Sequence, residues 1–194
     1  MERKSKHYAA DLRTRRHGPD GAGWIAYEYR GRLQAQEGNG MNVFILDNNM
    51  KRSAQMLDDA HLRAQINEAT QILMANYNRE HFPDAKIGHV NHPVTKFYEY
   101  GSDQFGELFK YLSNLLVEYN IRFNKYHQND FWFAGFLRAV MPKTRYDNEF
   151  KYSKTYVNGV MTDDISEIRK YISTKPMQKK PTWTNREKPD WWEV

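Results

Sequence analysis

Asp58-Asp59-Ala60-His61-Leu62-Arg63-Ala64-Gln65-Ile66-Asn67-Glu68-Ala69-Thr70-Gln71-Ile72-Leu73 is the stretch on which the reading of this chain turns. Its apolar residues Leu62, Ile66, Ala69 and Leu73 recur at steps of three and four, which predicts an amphipathic helix with one buried face. On a helical projection His61 and Glu68 fall on a flank away from that stripe, with Ala64, Gln71 and Ala75 nearby. This predicts a polar strip with room above it. His61 and Glu68 lie about two turns, or roughly 10 Å, apart along the axis, so they would face one extended ligand without touching. The same two side chains would also suit the solvated side of any surface helix.

Working outward, Val43, Phe44, Ile45 and Leu46 form a buried-looking run that ends in the turn-rich Asp47-Asn48-Asn49. From Ser102 to Tyr126 the residues Phe105, Leu108, Phe109, Leu112, Leu115, Leu116, Tyr119 and Phe123 make a wide apolar stripe, the mark of a central core helix in an all-α domain. The cluster Phe131-Trp132-Phe133-Ala134-Gly135-Phe136 is expected to pack on it. A further helix is predicted over 163–174 from Ile165, Ile168, Tyr171 and Ile172, with Thr162 or Asp163 as its cap; Pro142 and Gly159 interrupt the chain before it. Beyond Thr174 the sequence turns basic and aromatic, and Pro176, Pro181 and Pro189 oppose helix formation. That tail reads either as a tryptophan-rich strap over the core or as a surface for stacking on an unpaired base. Trp191 and Trp192 are assigned to the core.

A length of 194 residues, with 40% hydrophobic and 14% aromatic content, suits one domain with a real core. The absence of cysteine excludes disulfides and thiolate metal sites. No apolar run is long enough to span a bilayer and no signal-type segment follows the charged start, so a cytoplasmic protein without membrane contact is expected. A formal net charge of +5 permits nucleic-acid binding without requiring it. The seven histidines show no metal-ligand spacing; the nearest grouping, His89 and His92 with Asp84, sits beside Pro93 and reads as a structural turn. Gly18 to Gly23 follows no strand and is no phosphate loop. Neither a metal nor a nucleotide cofactor is expected.

Residues 1–40 read as a separate basic, flexible arm, with Arg3, Lys4, Lys6, Arg13, Arg15, Arg16, Arg30 and Arg32 set against five acids. Trp24, Ile25, Tyr27 and Tyr29 are the exception, suited to a short strand or a docking patch. The domain proper is placed at 41–194. Two readings of the arm stand side by side. It is a DNA-binding extension, or it is the translation of a purine-rich ribosome-binding stretch at Gln36-Glu37-Gly38-Asn39-Gly40 ahead of a functional start at Met41.

The run Asp59, His61, Leu62, Ala64, Glu68 resembles the helix of the phage-type pyrimidine dimer DNA glycosylases, the endonuclease V class of bacteriophage. In that family an Asp-x-His-Leu-x-Ala run leads to the catalytic glutamate, the position held here by Glu68. His89-Val90, Asn91-His92-Pro93 and Lys96-Phe97-Tyr98 then lead into the long helix in the family's order. This part is also similar to uncharacterised phage and bacterial relatives that begin Met-Asn-Ile/Val-Phe. The tail Lys180-Pro181-Thr182-Trp183 resembles the family's Gln-Pro-Thr-Trp segment, so the resemblance spans 41–194.

What the resemblance implies is a compact, mainly α, single-domain fold and a monomeric DNA-repair glycosylase with AP-lyase activity. Its substrate would be a damaged or modified pyrimidine in double-stranded DNA. In the family an α-amino group attacks the sugar C1′. An amine of that type, with a pKa near 8, is more often neutral than a lysine near 10.4. Glu68 would handle protons and stabilise positive charge on the sugar, at a flipped-out nucleotide. The implied catalytic positions are Glu68 with Met41 or Asn42, and the implied substrate-binding positions are His61, Arg63, Asn67, Gln71, His92, Lys96 and Trp183.

The sequence also departs from the family. A chain started at Met1 has an amide where the family has its amine. A start at Met41 makes Met41 the nucleophile, because Asn42 is too large for ready removal of the initiator. Asn67 and Gln71 replace two phosphate-contacting arginines, with Arg63, one turn earlier, as the available substitute. The competing readings are a diverged, non-catalytic DNA-binding protein of the same fold, and a phage structural or host-interaction protein.

Overall fold

Asp58 opens the decisive helix as its cap: its side chain accepts from the N–H groups of Ala60 at 2.8 Å and His61 at 3.2 Å. Two backbone donors that the first turn leaves orphaned are thereby satisfied. The helix, α2, runs over Asp59–His81, about two turns beyond the predicted end at Leu73. It continues because Met74 and Tyr77 keep the buried stripe going, and its last turn carries Arg79 and His81, which suit the helix dipole. The computed structural model describes residues 41–82, 88–140, 148–176 and 179–192. The expectations for the arm at 1–40, for Asp84 and for Pro142 lie outside the described residues.

The elements around α2 are α1 (Met50–Met56), α3 (Pro93–Phe97), α4 (Asp103–Phe123), α5 (Asn129–Val140), β1 (Thr155–Val157), β2 (Val160–Thr162) and α6 (Ile165–Thr174). The fold is mainly α. The helix α4 is capped by Ser102, whose side-chain oxygen accepts from the Phe105 N–H at 3.1 Å, and it ends where Asn124 turns left-handed at φ 49°. It packs against both α2 and α1; α3 and α5 also lie against α2. The core sits between α2 and α4, where Leu62, Ile66, Ile72 and Leu73 meet Leu108, Leu112 and Leu115, all almost wholly excluded from water.

Three expectations change in detail. The cap of α6 is Asp164, which accepts from the N–H groups of Ser166 at 2.8 Å and Glu167 at 3.2 Å, in place of Thr162 or Asp163. Thr162 closes β2 instead, and its hydroxyl accepts from the Asp164 N–H. The aromatic cluster on α5 is split. Phe133 stacks on Phe109 at 5.0 Å between ring centroids, whereas Phe131 is 78% exposed. Residues two apart on a helix point in different directions, so one element cannot bury both. The stop at Gly159 is a hairpin turn, with Asn158 at φ 47° and Gly159 at φ 91° between the antiparallel strands β1 and β2. Two successive left-handed residues of this kind are what a type I′ turn requires.

Among the described residues no helix is long and apolar enough to cross a membrane.

Candidate active site around Glu68

Met41 to Leu46 is buried without belonging to a helix or strand. Its N–H groups must therefore be satisfied by side chains. Asn42 donates to Glu68 Oε2 at 2.9 Å, Val43 to the Asn42 side-chain oxygen at 2.8 Å and Phe44 to Gln65 Oε1 at 2.8 Å. Ile45 donates to the Thr155 hydroxyl at 3.1 Å and Leu46 to the Ser53 hydroxyl at 2.9 Å. This explains why Ser53, Gln65 and Thr155 are buried polar residues: they are the ladder that an irregular segment lacks.

The segment is thereby fixed against the middle of α2, with Asn42 beside Glu68. The Asn42 side chain is held from its far side by the hairpin. Its amide nitrogen donates to the Tyr156 carbonyl, and its oxygen accepts from the Tyr156 N–H at 2.9 Å. Gln65, one turn before Glu68, closes the arrangement by donating to Glu68 Oε2 and to the Asn42 carbonyl, both at 3.1 Å. Met41 is buried beside α3, where its sulfur accepts from the Thr95 hydroxyl at 3.4 Å.

Burial pushes the Glu68 carboxyl up to about 7; the Asn42 N–H, the Lys175 and His61 charges and the Gln65 amide all favour the carboxylate and only partly offset it. A carboxyl of this kind can hold or release a proton at neutral pH. His61 lies further along α2, its Nδ1 against the Asp58 carboxylate in a short contact. Its ring meets Phe44 edge-on at 5.8 Å and Trp192 at 6.2 Å. The strip predicted to have room above it is thus partly roofed, by the 41–46 segment and by the carboxyl-terminal tail. Both are remote in sequence, so the phase of α2 gives no sign of them.

The other implied positions are distributed around this centre. His92 caps α3, its Nδ1 accepting from the Val94 N–H at 3.3 Å, and its ring stands 6.2 Å from Tyr156. Burial and then the nearby His89 hold its pKa below the ordinary histidine value. A neutral ring suits a nitrogen that accepts a hydrogen bond. Lys96 is exposed on α3. Arg63 stacks its guanidinium over Phe123 at 4.5 Å, and Asn67 accepts from Asn129 Nδ2 at 3.2 Å, so these two turn toward α4 and α5. Gln71 is half-buried.

Trp183 donates from Nε1 to the Met56 carbonyl at 3.1 Å and meets Trp192 edge-on at 5.0 Å. Trp192 is buried, as assigned, whereas Trp191 is only half-buried and stands under the Arg169 guanidinium at 5.2 Å.

The tail reaches this position through a charged network. Asp59 accepts from the Thr182 and Thr184 hydroxyls at 3.0 and 2.7 Å and from buried Arg122 at 3.1 Å. Glu118 takes both Arg122, at 2.7 Å, and Arg186, at 2.8 Å. Burial works to raise the Asp59 carboxyl, but Thr184, Thr182 and Arg122 outweigh it and hold it below the ordinary value.

Gln65, Tyr156 and Lys175 belong to the site's surroundings and were not singled out from sequence. Gln65 could have been, since a glutamine on the Glu68 flank one turn earlier can reach the same carboxylate.

Residues 41–133 match the family described as pyrimidine dimer DNA glycosylase. No curated protein and no solved structure matches the chain. The matched span holds Asn42, Gln65 and Glu68 and ends within α5, before the hairpin and the tail. Over this segment the chain is similar to the pyrimidine dimer DNA glycosylase family.

Proposed function

We propose that this protein releases a damaged or modified pyrimidine from double-stranded DNA, with Glu68 as the proton-handling group. The observation that carries this reading is the Glu68 carboxyl, half-buried, pushed up to about 7 and bonded to the Asn42 backbone nitrogen. A group with that pKa matches a reaction in which a proton must reach the departing base and be taken back from an attacking nucleophile. His61, His92 and Trp183 border the region in which a flipped nucleotide would lie, while Arg63 and Lys96 supply exposed cations for phosphates. The active unit in this reading is a monomeric domain over 41–194, and cleavage of the strand at the abasic site follows base release.

The test is the appearance of alkali-labile sites in ultraviolet-irradiated duplex DNA. The parent protein is expected to generate them, and Glu68→Gln to lose about 100-fold or more in rate. Equal rates for the two proteins would remove Glu68 from the chemistry. One observation favours the competing reading of a binding protein without catalysis. The Asn42 nitrogen that meets Glu68 is a backbone amide in the continuous chain, and an amide forms no Schiff base. Specific binding to irradiated duplex with no alkali-labile sites would decide for that reading.

A further inference from the structure

Lys175 follows the last residue of α6 as its carboxyl-terminal cap. One turn earlier, Tyr171 leans its ring on Phe44 at 6.2 Å between centroids, and the Lys175 Nζ stands 5.9 Å from the centre of that same ring. The Phe44 N–H is held by Gln65, and Gln65 in turn donates to Glu68. The contacts thus run from Lys175 through Tyr171, Phe44 and Gln65 to the Glu68 carboxylate. The lysine charge also acts on Glu68 more strongly than that of His61 does. The side chain is half-buried, with four rotatable bonds between its backbone and its amine, so Nζ can move from the tyrosine face without displacing the fold.

We propose that Lys175 is the amine nucleophile of this protein, supplying in trans to the Asn42 position the nitrogen that a backbone amide cannot provide. The inference rests on the glycosylase reading above. Chemically, the Glu68 carboxylate takes a proton from the Nζ ammonium, the freed lone pair adds to C1′ of the ring-opened sugar at an abasic site, and a second nitrogen proton passes to the new alkoxide oxygen to give the carbinolamine. Glu68 returns its proton to the carbinolamine hydroxyl, which leaves as water, and a protonated imine forms between Nζ and C1′. Glu68, again a carboxylate, then takes a C2′ proton, and the electron pair of that C–H bond expels the 3′-phosphate and cuts the strand. An ammonium nitrogen has no lone pair and must shed a proton before it can attack. A carboxylate able to remove that proton is therefore what such a lysine needs.

The experiment uses the full 194-residue chain, a duplex carrying one pre-formed abasic site, and borohydride, which reduces the imine to a stable secondary amine. Proteolysis and mass spectrometry then locate the adduct. The expected result is a nucleotide remnant on Lys175. In Lys175→Arg, which keeps the charge but not the nucleophile, trapping should fall by about 100-fold while duplex binding and thermal melting are retained. An adduct on an α-amine or another lysine, or undiminished trapping in Lys175→Arg, overturns the assignment. So does the absence of any adduct from the parent. Base release from irradiated duplex, measured on the same preparation, reports separately whether the glycosylase reading itself stands.

Discussion

Glu68 is held in a place that does not favour its charge. Its carboxyl rises from an ordinary 4.5 to about 7, which corresponds to about 3 kcal/mol against the ionised form in the folded state. The folded chain binds the Glu68 proton more tightly than the unfolded chain does. The site is therefore at no disadvantage below about pH 4.5, and stability is lost as pH rises through 7. In Glu68→Gln that loss is absent, while an oxygen remains to accept from Asn42. Relative to the parent, the variant should gain roughly 2–3 kcal/mol between pH 4 and pH 8, read from urea melts at the two pH values. A constant difference would mean that Glu68 titrates near 4.5. The phase of one helix was enough to select His61 and Glu68, because side-chain direction follows from residue number. It could not show that Gln65 would turn toward the same carboxylate, since that depends on where the 41–46 segment lies.

Among the elements, the 41–46 segment is the least regular and the most dependent on its neighbours. The backbone N–H groups from Asn42 to Leu46 all donate to side chains, so removal of one acceptor leaves a buried N–H with no substitute. Thr155→Val, nearly isosteric, strips Ile45 of its partner and should cost about 1–3 kcal/mol in chemical denaturation. A change below 0.5 kcal/mol, on the order of a typical surface substitution, would show that water replaces the hydroxyl. The long helices were legible because their stripes persist over many turns, and only their ends moved. The hairpin was missed although Asn158-Gly159 is a strong local turn signal. Strands of three residues are too short for alternation to be recognised. The split fate of Phe131 and Phe133 likewise follows from helical phase, and a run of consecutive aromatics obscures it.

At the scale of the whole molecule, Arg122 joins parts of the chain that no local pattern relates. Its guanidinium is fully buried and meets Glu118, Asp59 and the carbonyls of Leu57 and Gln55, while Glu118 and Asp59 hold the tail. In sequence Arg122 looks like an ordinary cation near the end of an amphipathic helix, which is why the network could not be read there. Arg122→Met leaves two carboxylates buried with fewer partners and should cost about 3–5 kcal/mol in thermal or urea melts. Near-parent stability would mean that the tail's other contacts suffice.

The bonds between Asp59 and Thr184 also set an order of assembly, because they close a loop of 125 positions. While the chain is being made, α2 can leave the ribosome with its cap and apolar stripe already in place. The wall that contains Trp183 and Trp192 cannot form until residues 183 to 192 have been added, more than 100 positions later. During synthesis, therefore, Glu68 meets solvent long before it meets its finished surroundings, and the chemistry of the site waits for the tail.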